Sequence, residues 1–181
     1  GVDVKVEFQS KFIDKPNYTP IVADFEHYNE LHTLISEPVD VFFHFAWAGG
    51  LIQNSFWDYE LQLSNAKFAC DAFREASLLG AKRFINSGTN NQIEITQFLN
   101  SKDFSPRGTT IYASAKIALE LICKTLATKS ETDFVGCMIP MPYGEGNRSM
   151  QLFNVVAKNL IEGTSPKLIE GNNLYDMIYI G

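Results

Sequence analysis

A tyrosine and a lysine four residues apart are the side chains of this sequence best suited to chemistry. Tyr112 and Lys116 lie in I-Y-A-S-A-K-I-A-L-E-L-I-C-K-T-L, whose apolar residues follow the spacing of a helix with one buried face. Residues four apart lie one above the other on such a helix. An ammonium ~5 Å from a phenol, at an effective dielectric of about 20, favours the phenolate by roughly 3 kcal/mol. The spacing therefore predicts a tyrosine pKa lowered by about two units, less whatever desolvation takes back, which suits acid–base catalysis near neutral pH.

The same pair also occurs on solvated helix edges, so the rest of the chain must decide between the two interpretations. The 181 residues are 45% apolar and 20% charged, which is typical of one globular domain, or of one domain with part of a second. A net charge of −6 argues against binding to nucleic acid or to an anionic membrane. No apolar run reaches membrane-spanning length, and no signal-peptide pattern is present.

The cysteines and histidines predict neither disulfides nor a metal site. Cys70, Cys123 and Cys137 are odd in number and lie in apolar segments, which favours reduced thiols in a cytoplasmic protein. The three histidines are scattered, and no cysteines are paired at metal-ligand spacing.

Strand and helix patterns alternate along the chain with short connections. This alternation predicts an α/β fold with a doubly wound parallel sheet and helices on both faces. The predicted strands are 2–8, 21–23, 39–46, 82–86, 134–139 and 176–180; the predicted helices are 27–35, 55–79, 111–126 and 150–161. Ligands bind beyond the carboxyl ends of the strands in such sheets, so the residues at those ends are the functional candidates.

The strand ends and the Tyr112 helix resemble the extended short-chain dehydrogenase/reductase superfamily. The most similar branch is that of the NAD-dependent nucleotide-sugar epimerases and dehydratases. H-F-A-W at 44–47 resembles the family's H-x-A-A, and A-K-R-F-I-N-S-G-T at 81–89 resembles K-R-F-V-x-x-S-S-S. Asn65 matches a helix asparagine, 112–116 matches Y-x-x-x-K, and 143–147 resembles Y-G-P-G. Five matches in the right order and at the right spacing make the resemblance specific.

The resemblance implies a Rossmann-like fold that lacks its first β-α unit. Residues 1–140 would form a partial dinucleotide-binding domain, and 141–181 would begin a substrate-binding region with a returning strand. The family's G-x-x-G-x-x-G phosphate loop is absent from the sequence, which opens where the family has its second strand. The chain is therefore expected to be an internal fragment that binds NAD poorly and is inactive on its own.

The resemblance also implies hydride chemistry on a sugar hydroxyl. Tyr112 would take the hydroxyl proton while hydride passes to the nicotinamide of NAD, or of NADP. Lys116 would lower the tyrosine pKa and hydrogen-bond the nicotinamide ribose, and Thr89 would hydrogen-bond the reacting oxygen. Thr89 could instead be a strand-end turn residue, and Ser87 is a rival for the same role.

Further contacts are implied residue by residue, several of them with alternatives. Asp24 could simply cap the following helix, Trp47 departs from the usual small residue and could shape the substrate pocket, and Met141 stands where relatives have asparagine. His44 is predicted to be a satisfied core histidine. The implied cofactor contacts are Asp24, Phe25, Phe45, Ala46, Trp47, Asn65, Ser87, Tyr112, Lys116 and Ile139. The implied substrate contacts are Thr89, Asn90, Met141, Asn147 and Arg148, of which the last two could equally cap a helix.

The sequence thus predicts an epimerase or dehydratase that acts on a nucleotide-activated sugar. Homodimerisation through the Asn65 and Tyr112 helices is expected from the resemblance. The alternative is a non-catalytic nucleotide-sensing or protein-binding module of the same fold, supported by the absent glycine loop and by Met141. Epimerisation, dehydration and reduction are not distinguished at this stage.

Overall fold

The structure is a computed structural model. The chain forms two compact units, Gly1–Cys137 and Met138–Gly181. The described residues are 1–49, 54–103, 105–147, 151–168, 170 and 176–180, and the side chains of Val6 and Phe8 are also outside the description. The roles predicted for 1–140 and 141–181 stay predictions.

Strands and helices alternate through the first unit, as the sequence predicts. Its elements are β1 (Val2–Asp3), β2 (Ile21–Val22), α1 (Leu31–Leu34), β3 (Val41–His44), α2 (Tyr59–Leu78), β4 (Arg83–Thr89), α3 (Asn91–Phe98), α4 (Gly108–Ala127) and β5 (Asp133–Ile139), whose last two residues belong to the second unit. Short 3₁₀ helices cover Val6–Gln9, Phe25–Glu30 and Ser55–Trp57.

The strands of the first unit form two sheets. β1 pairs with β2 in parallel, and the other sheet has the order β3-β4-β5. β3 and β4 are parallel, with His44 opposite Asn86, so the residues that follow both strands lie at one edge of the sheet. A cavity of about 680 Å³ is lined by both β1 and β3. Parallel pairing with helical connections confirms the predicted α/β fold class.

The core of the first unit lies between α2, α4 and the β3-β4-β5 sheet. Half of the buried residues of α2 are alanines, and small side chains allow close helix packing. The buried alanines are Ala66, Ala69, Ala72 and Ala76. Phe73 of α2 packs edge-on against Phe84 of β4, with ring centres 5.5 Å apart. Asp58 Oδ1 caps α2 by accepting a hydrogen bond from the Leu61 amide at 3.0 Å.

The second unit contains β6 (Met141–Gly144), α5 (Leu152–Ile161) and β7 (Met177–Ile180). β6 and β7 pair in parallel, with Met141 opposite Met177 and Gly144 opposite Ile180. Gly144 has φ +152°, and a Cβ there would collide with the Ile180 carbonyl, so this pairing requires glycine.

Three predicted segments were wrong. The strand expected at 2–8 ends at Asp3, because only Val2 and Asp3 pair with β2 and a 3₁₀ turn follows. The region 90–108, to which the sequence assigned neither strand nor helix, contains α3, whose apolar residues are too few to show a clear helical period. The segment 140–148, also without a predicted element, contains β6, because its pairing partner β7 lies more than thirty residues away.

Within the described part of the chain, no helix is both long and apolar enough to cross a membrane. Among the same residues, no group of three or more metal-ligating side chains is present.

Candidate active site

Helix α4 carries Tyr112 and Lys116 on the face that packs toward α2 and β4. α4 begins at Gly108, where a Cβ would lie 2.7 Å from the indole nitrogen of Trp57, so glycine allows the close approach. The Arg107 amide donates to Thr110 Oγ1 at 3.0 Å and satisfies one group at the helix start. Tyr112 is half-buried, whereas Lys116 is only 2% exposed.

The ammonium of Lys116 has two favourable neighbours. Its Nζ donates a hydrogen bond to the Ser87 carbonyl oxygen at 2.8 Å, which ties α4 to the end of β4. The same atom lies 3.9 Å from the centre of the Trp47 ring and 6.0 Å from the centre of the Tyr112 ring. Burial lowers the pKa of Lys116 to about 8, because removal of water disfavours the charged form.

Tyr112 lies in an aromatic environment. Its ring meets Trp47 edge-on at 5.6 Å between centres and Phe56 at 5.0 Å. Burial raises the pKa of Tyr112, and a side-chain hydrogen bond with Thr89 opposes that rise. The predicted lowering of this pKa by Lys116 is therefore wrong for the arrangement seen here. Loss of water around the phenol outweighs the stabilisation of the phenolate.

Thr89, the last residue of β4, lies in the strand-end turn that the sequence offered as one alternative, and its predicted contact with the reacting oxygen stays a prediction. Its side chain opposes the rise in the pKa of Tyr112, and its amide donates to Gln92 Oε1 at 2.8 Å in a strand-end turn. Thr89 Oγ1 also donates to Asn91 Oδ1 at 3.2 Å. Gly88 makes this turn possible, since a Cβ there would lie 2.9 Å from Gln92 Oε1.

The segment after β3 is held by two amide side chains of α2. Asn65 Oδ1 accepts from the Ala48 amide at 2.9 Å, and Asn65 Nδ2 donates to the Ala48 carbonyl at 3.0 Å. Trp47 Nε1 donates to Gln62 Oε1 at 2.8 Å. Asn65 is thus a loop anchor in this structure, and its predicted contact with a cofactor stays a prediction.

A buried polar chain links β3 to the lysine. His44 Nδ1 and Asn86 Oδ1 are 3.0 Å apart, and Asn86 Nδ2 donates to the same Ser87 carbonyl that Lys116 contacts. Burial lowers the pKa of His44 to about 4, so the ring is neutral at neutral pH. The prediction of a satisfied histidine holds for Nδ1 alone, because His44 Nε2 is buried without a hydrogen-bond partner.

Three buried amides at this site were not predicted from the sequence: Gln62, Asn86 and Gln92. Gln62 precedes Asn65 by three residues and shares its helix face, so its position in an apolar stripe was a usable signal. Asn86 likewise interrupts an apolar strand. Gln92 carried no such signal because its helix was not predicted.

Four further cofactor candidates lie at the ends of β2 and β3 in the first unit. Asp24 is exposed and caps the 3₁₀ turn, with Oδ1 accepting from the Glu26 amide at 3.0 Å. Phe25 packs into the core against Phe68, with ring centres 5.5 Å apart. Phe45 and Ala46 line the cavity beside β1. Their predicted cofactor contacts stay predictions, as does that of Ser87.

The remaining candidates belong mostly to the second unit. Ile139 ends β5 and Met141 begins β6, while the Asn147 side chain donates to the Pro142 carbonyl at 2.8 Å. Arg148 lies outside the described residues. Asn90 is exposed in the first unit, and its carbonyl accepts from the Ile93 amide at 3.0 Å. Substrate contacts for these residues stay predictions.

Comparison with known proteins gives one family match and several structural matches. Residues 4–181 match the family described as "NAD dependent epimerase/dehydratase family". The fold is similar to UDP-N-acetylglucosamine 4-epimerase from Methanobrevibacter ruminantium M1, in complex with UDP-N-acetylmuramic acid (TM-score 0.71, 18% identity, 98% of this chain and 60% of that chain). No curated protein sequence matches the chain.

Two further structures show the same fold. One is a double mutant of the dTDP-glucose 4,6-dehydratase DesIV from Streptomyces venezuelae, with NAD and DAU bound (TM-score 0.70, 18% identity, 98% of this chain and 57% of that chain). The other is UDP-glucuronic acid 4-epimerase from Bacillus cereus, in complex with UDP-glucuronic acid and NAD (TM-score 0.67, 18% identity, 96% of this chain and 55% of that chain). The chain thus spans less than two thirds of the length of each structure.

Proposed function

Because the chain belongs to the NAD-dependent epimerase/dehydratase family, we propose that it supplies the acid–base half of a hydride-transfer site for a nucleotide-activated sugar. The whole protein would be an epimerase or dehydratase with NAD, or alternatively NADP, as cofactor. The structural relatives bound to UDP-sugars and to NAD support this assignment.

The observation that carries the proposal is the convergence of three side chains. The hydroxyl of Thr89 favours ionisation of the Tyr112 phenol, and the Lys116 ammonium lies one helical turn further along α4. A hydroxyl, a phenol and a cation at one edge of a parallel sheet form a proton-transfer site. A non-catalytic module has no need for this set.

The chemistry of the chain's own residues follows from their environments. Burial keeps Tyr112 protonated at neutral pH, so at rest it is a hydrogen-bond donor and a general acid. In the opposite direction Tyr112 would accept the proton of a sugar hydroxyl, and the charge of Lys116 would favour the phenolate that results. Thr89 would orient the reacting oxygen.

The residues present fit the reacting end of a dinucleotide, and a bound NAD would accept and return the hydride. Lys116 offers an ammonium of which one hydrogen is used by Ser87, so it has donors left for ribose hydroxyls. The sequence holds no G-x-x-G-x-x-G run for the diphosphate. We therefore expect weak NAD binding by these 181 residues.

A homodimer through α2 and α4 is part of the proposal. Large apolar side chains are exposed on both helices, and burial of such surface drives association. These side chains are Leu63, Leu121, Ile122 and Leu126. We also propose a cytoplasmic location, which the three free cysteines support.

The test compares the wild type with Tyr112→Phe in the protein that carries this chain at its natural length. UDP- and dTDP-hexoses are offered with NAD, and epimers and dehydrated sugars are quantified by chromatography. Loss of product with retained NAD binding supports the proposal. Unchanged product formation in Tyr112→Phe rules out the acid–base role of Tyr112, and unchanged biological output after that replacement favours the non-catalytic module.

A further inference from the structure

Trp47 and Lys116 form a contact that the residue spacing does not predict. The lysine Nζ lies 3.9 Å from the centre of the Trp47 ring, and the lysine is 2% exposed. A buried cation must replace the water that it has lost. The Ser87 carbonyl accepts one hydrogen bond, and the negative face of the indole supplies a second stabilising interaction.

The indole is held in place from two other sides. Trp47 Nε1 donates to Gln62 Oε1 at 2.8 Å, and Gln62 Nε2 donates to the Ser55 carbonyl at 3.0 Å. Gln62 is 1% exposed, so this amide is itself fixed by packing. The ring planes of Trp47 and Tyr112 meet at an angle of 80°. Lys116 Nζ lies over the Trp47 ring, 3.9 Å from its centre, so the indole presents its face to the ammonium.

We propose that Trp47 is a positioning residue for Lys116. Its indole keeps the ammonium at the Ser87 carbonyl, on the same side of α4 as the phenol of Tyr112. Trp47 thus acts through the lysine and not on the reacting atoms. This role for Trp47 refines the proposed function. It rests on that function only for the assignment of Lys116 to the reaction site.

Among the described residues, His44 and Tyr112 are titratable groups close to this lysine, and neither is expected to titrate near pH 8. His44 on β3 feels the charge of Lys116, and the pKa of His44 is lowered to about 4 by burial. Tyr112 on α4 has its pKa raised by burial above the ordinary value of 10.0. A transition near pH 8 therefore belongs to the lysine, whose own pKa burial lowers to about 8.

The first experiment measures the pH midpoint of Lys116 by NMR of ¹³Cε-labelled lysine in the 181-residue chain. The Lys116→Arg variant identifies the signal by its loss. Trp47→Leu is expected to lower the midpoint by about one pH unit, and Trp47→Phe by less, because a phenylalanine ring binds cations more weakly than an indole. An unchanged or raised midpoint in Trp47→Leu overturns the proposal.

The second experiment keeps the shape of the Trp47 side chain and changes only the charge of its ring face. It therefore still tests the proposal if the Trp47→Leu variant does not fold. The chain has two tryptophans, so Trp57→Phe, at an exposed position, leaves Trp47 as the sole site for fluorinated tryptophans. Successive fluorines weaken the charge of the ring face, and the Lys116 midpoint should fall with each one. A midpoint independent of fluorination shows mere packing and overturns the proposal. Neither readout requires turnover, so failure here is distinct from failure of the proposed function.

Discussion

The side chain of Asn65 hydrogen-bonds both the backbone amide and the backbone carbonyl of Ala48. Its Oδ1 accepts from the Ala48 amide at 2.9 Å, and its Nδ2 donates to the Ala48 carbonyl at 3.0 Å. One buried side chain on α2 therefore fixes the backbone beside Trp47, whose ring contacts Lys116 and Tyr112. The arrangement of the side chains at the site depends on the Asn65 anchor as much as on the reacting groups.

Replacing Asn65 by leucine should loosen the segment after β3. The Ala48 amide would lose its acceptor, and hydrogen exchange at Ala48 should become about tenfold faster, equivalent to a loss of about 1.4 kcal/mol. Amide-resolved hydrogen exchange measures this directly. Asn100→Leu, at an exposed position, is the matched control and should leave Ala48 unchanged. Equal exchange in the Asn65 variant would contradict the anchoring role.

Replacing Tyr112 by phenylalanine should abolish proton transfer while preserving the fold. The ring contacts with Trp47 and Phe56 remain, so we expect turnover of the natural-length protein to fall by roughly a hundredfold or more, with a similar free energy of unfolding. Product chromatography and urea denaturation measure the two effects. Tyr59→Phe, at an exposed position, serves as control and should retain full turnover. The prediction fails if both variants turn over equally.

Lys116 should make the protein more stable as the pH rises above about 8. Its pKa is lowered from 10.5 to about 8 by burial, so between these values the unfolded chain holds a proton that the folded chain has released. The difference corresponds to a gain of about 3 kcal/mol across this window.

Urea denaturation at pH values between about 8 and 10.5 tests this dependence. The wild type should show the rise, and Lys116→Met should show much less of it. Lys124→Met removes an exposed lysine paired with Glu120 and should leave the rise intact. If Lys116→Met showed a rise in stability as large as that of the wild type, the rise would belong to another titratable group.

His44 should make the protein less stable as the pH falls below 6.5. Burial lowers its pKa to about 4, so the unfolded chain takes up a proton first, and about 3 kcal/mol of stability is lost between these values. His44→Phe keeps an aromatic ring against Phe84 and should flatten this limb of the pH–stability curve.

His27 offers a control of opposite sign for the same titration. Its side-chain bond to Asp24 raises the pKa of His27, so His27→Gln cannot relieve a loss of stability on acidification. Thermal denaturation between pH 4 and 6.5 compares the two variants. The assignment to His44 would be disproved if His27→Gln reduced the loss of stability at low pH. It would also be disproved if His44→Phe still lost stability steeply as the pH fell.

Glu75 should contribute to stability by tying α1 to α2. This carboxylate is 1% exposed and accepts from the His32 amide at 2.9 Å and from His32 Nδ1 at 2.6 Å. Glu75→Ala leaves the amide without an acceptor and should cost about 1–3 kcal/mol in the free energy of unfolding. Glu94→Ala breaks an exposed ion pair with Arg107 and should cost under about 1 kcal/mol. The prediction would be refuted if denaturant titration gave the same loss in the free energy of unfolding for Glu75→Ala and Glu94→Ala.

The local pattern of the sequence determined the parts of the fold that repeat every few residues. The three-and-four spacing predicted α4, found at Gly108–Ala127, and placed Tyr112 and Lys116 one turn apart. The helix predicted at 55–79, which carries Asn65, is found at Tyr59–Leu78. Strand–helix alternation predicted the α/β class. Each of these inferences depends on neighbours within about one or two helical turns, which the sequence displays directly.

The tertiary structure alone decided the electrostatics of the site and the short strands. Trp47 and Phe56, more than fifty residues before Tyr112 in the sequence, surround the phenol and reverse the expected direction of its pKa shift. β6 exists because β7 pairs with it from a distant part of the chain. Desolvation and strand pairing both depend on residues brought together by folding, and residue spacing does not encode them.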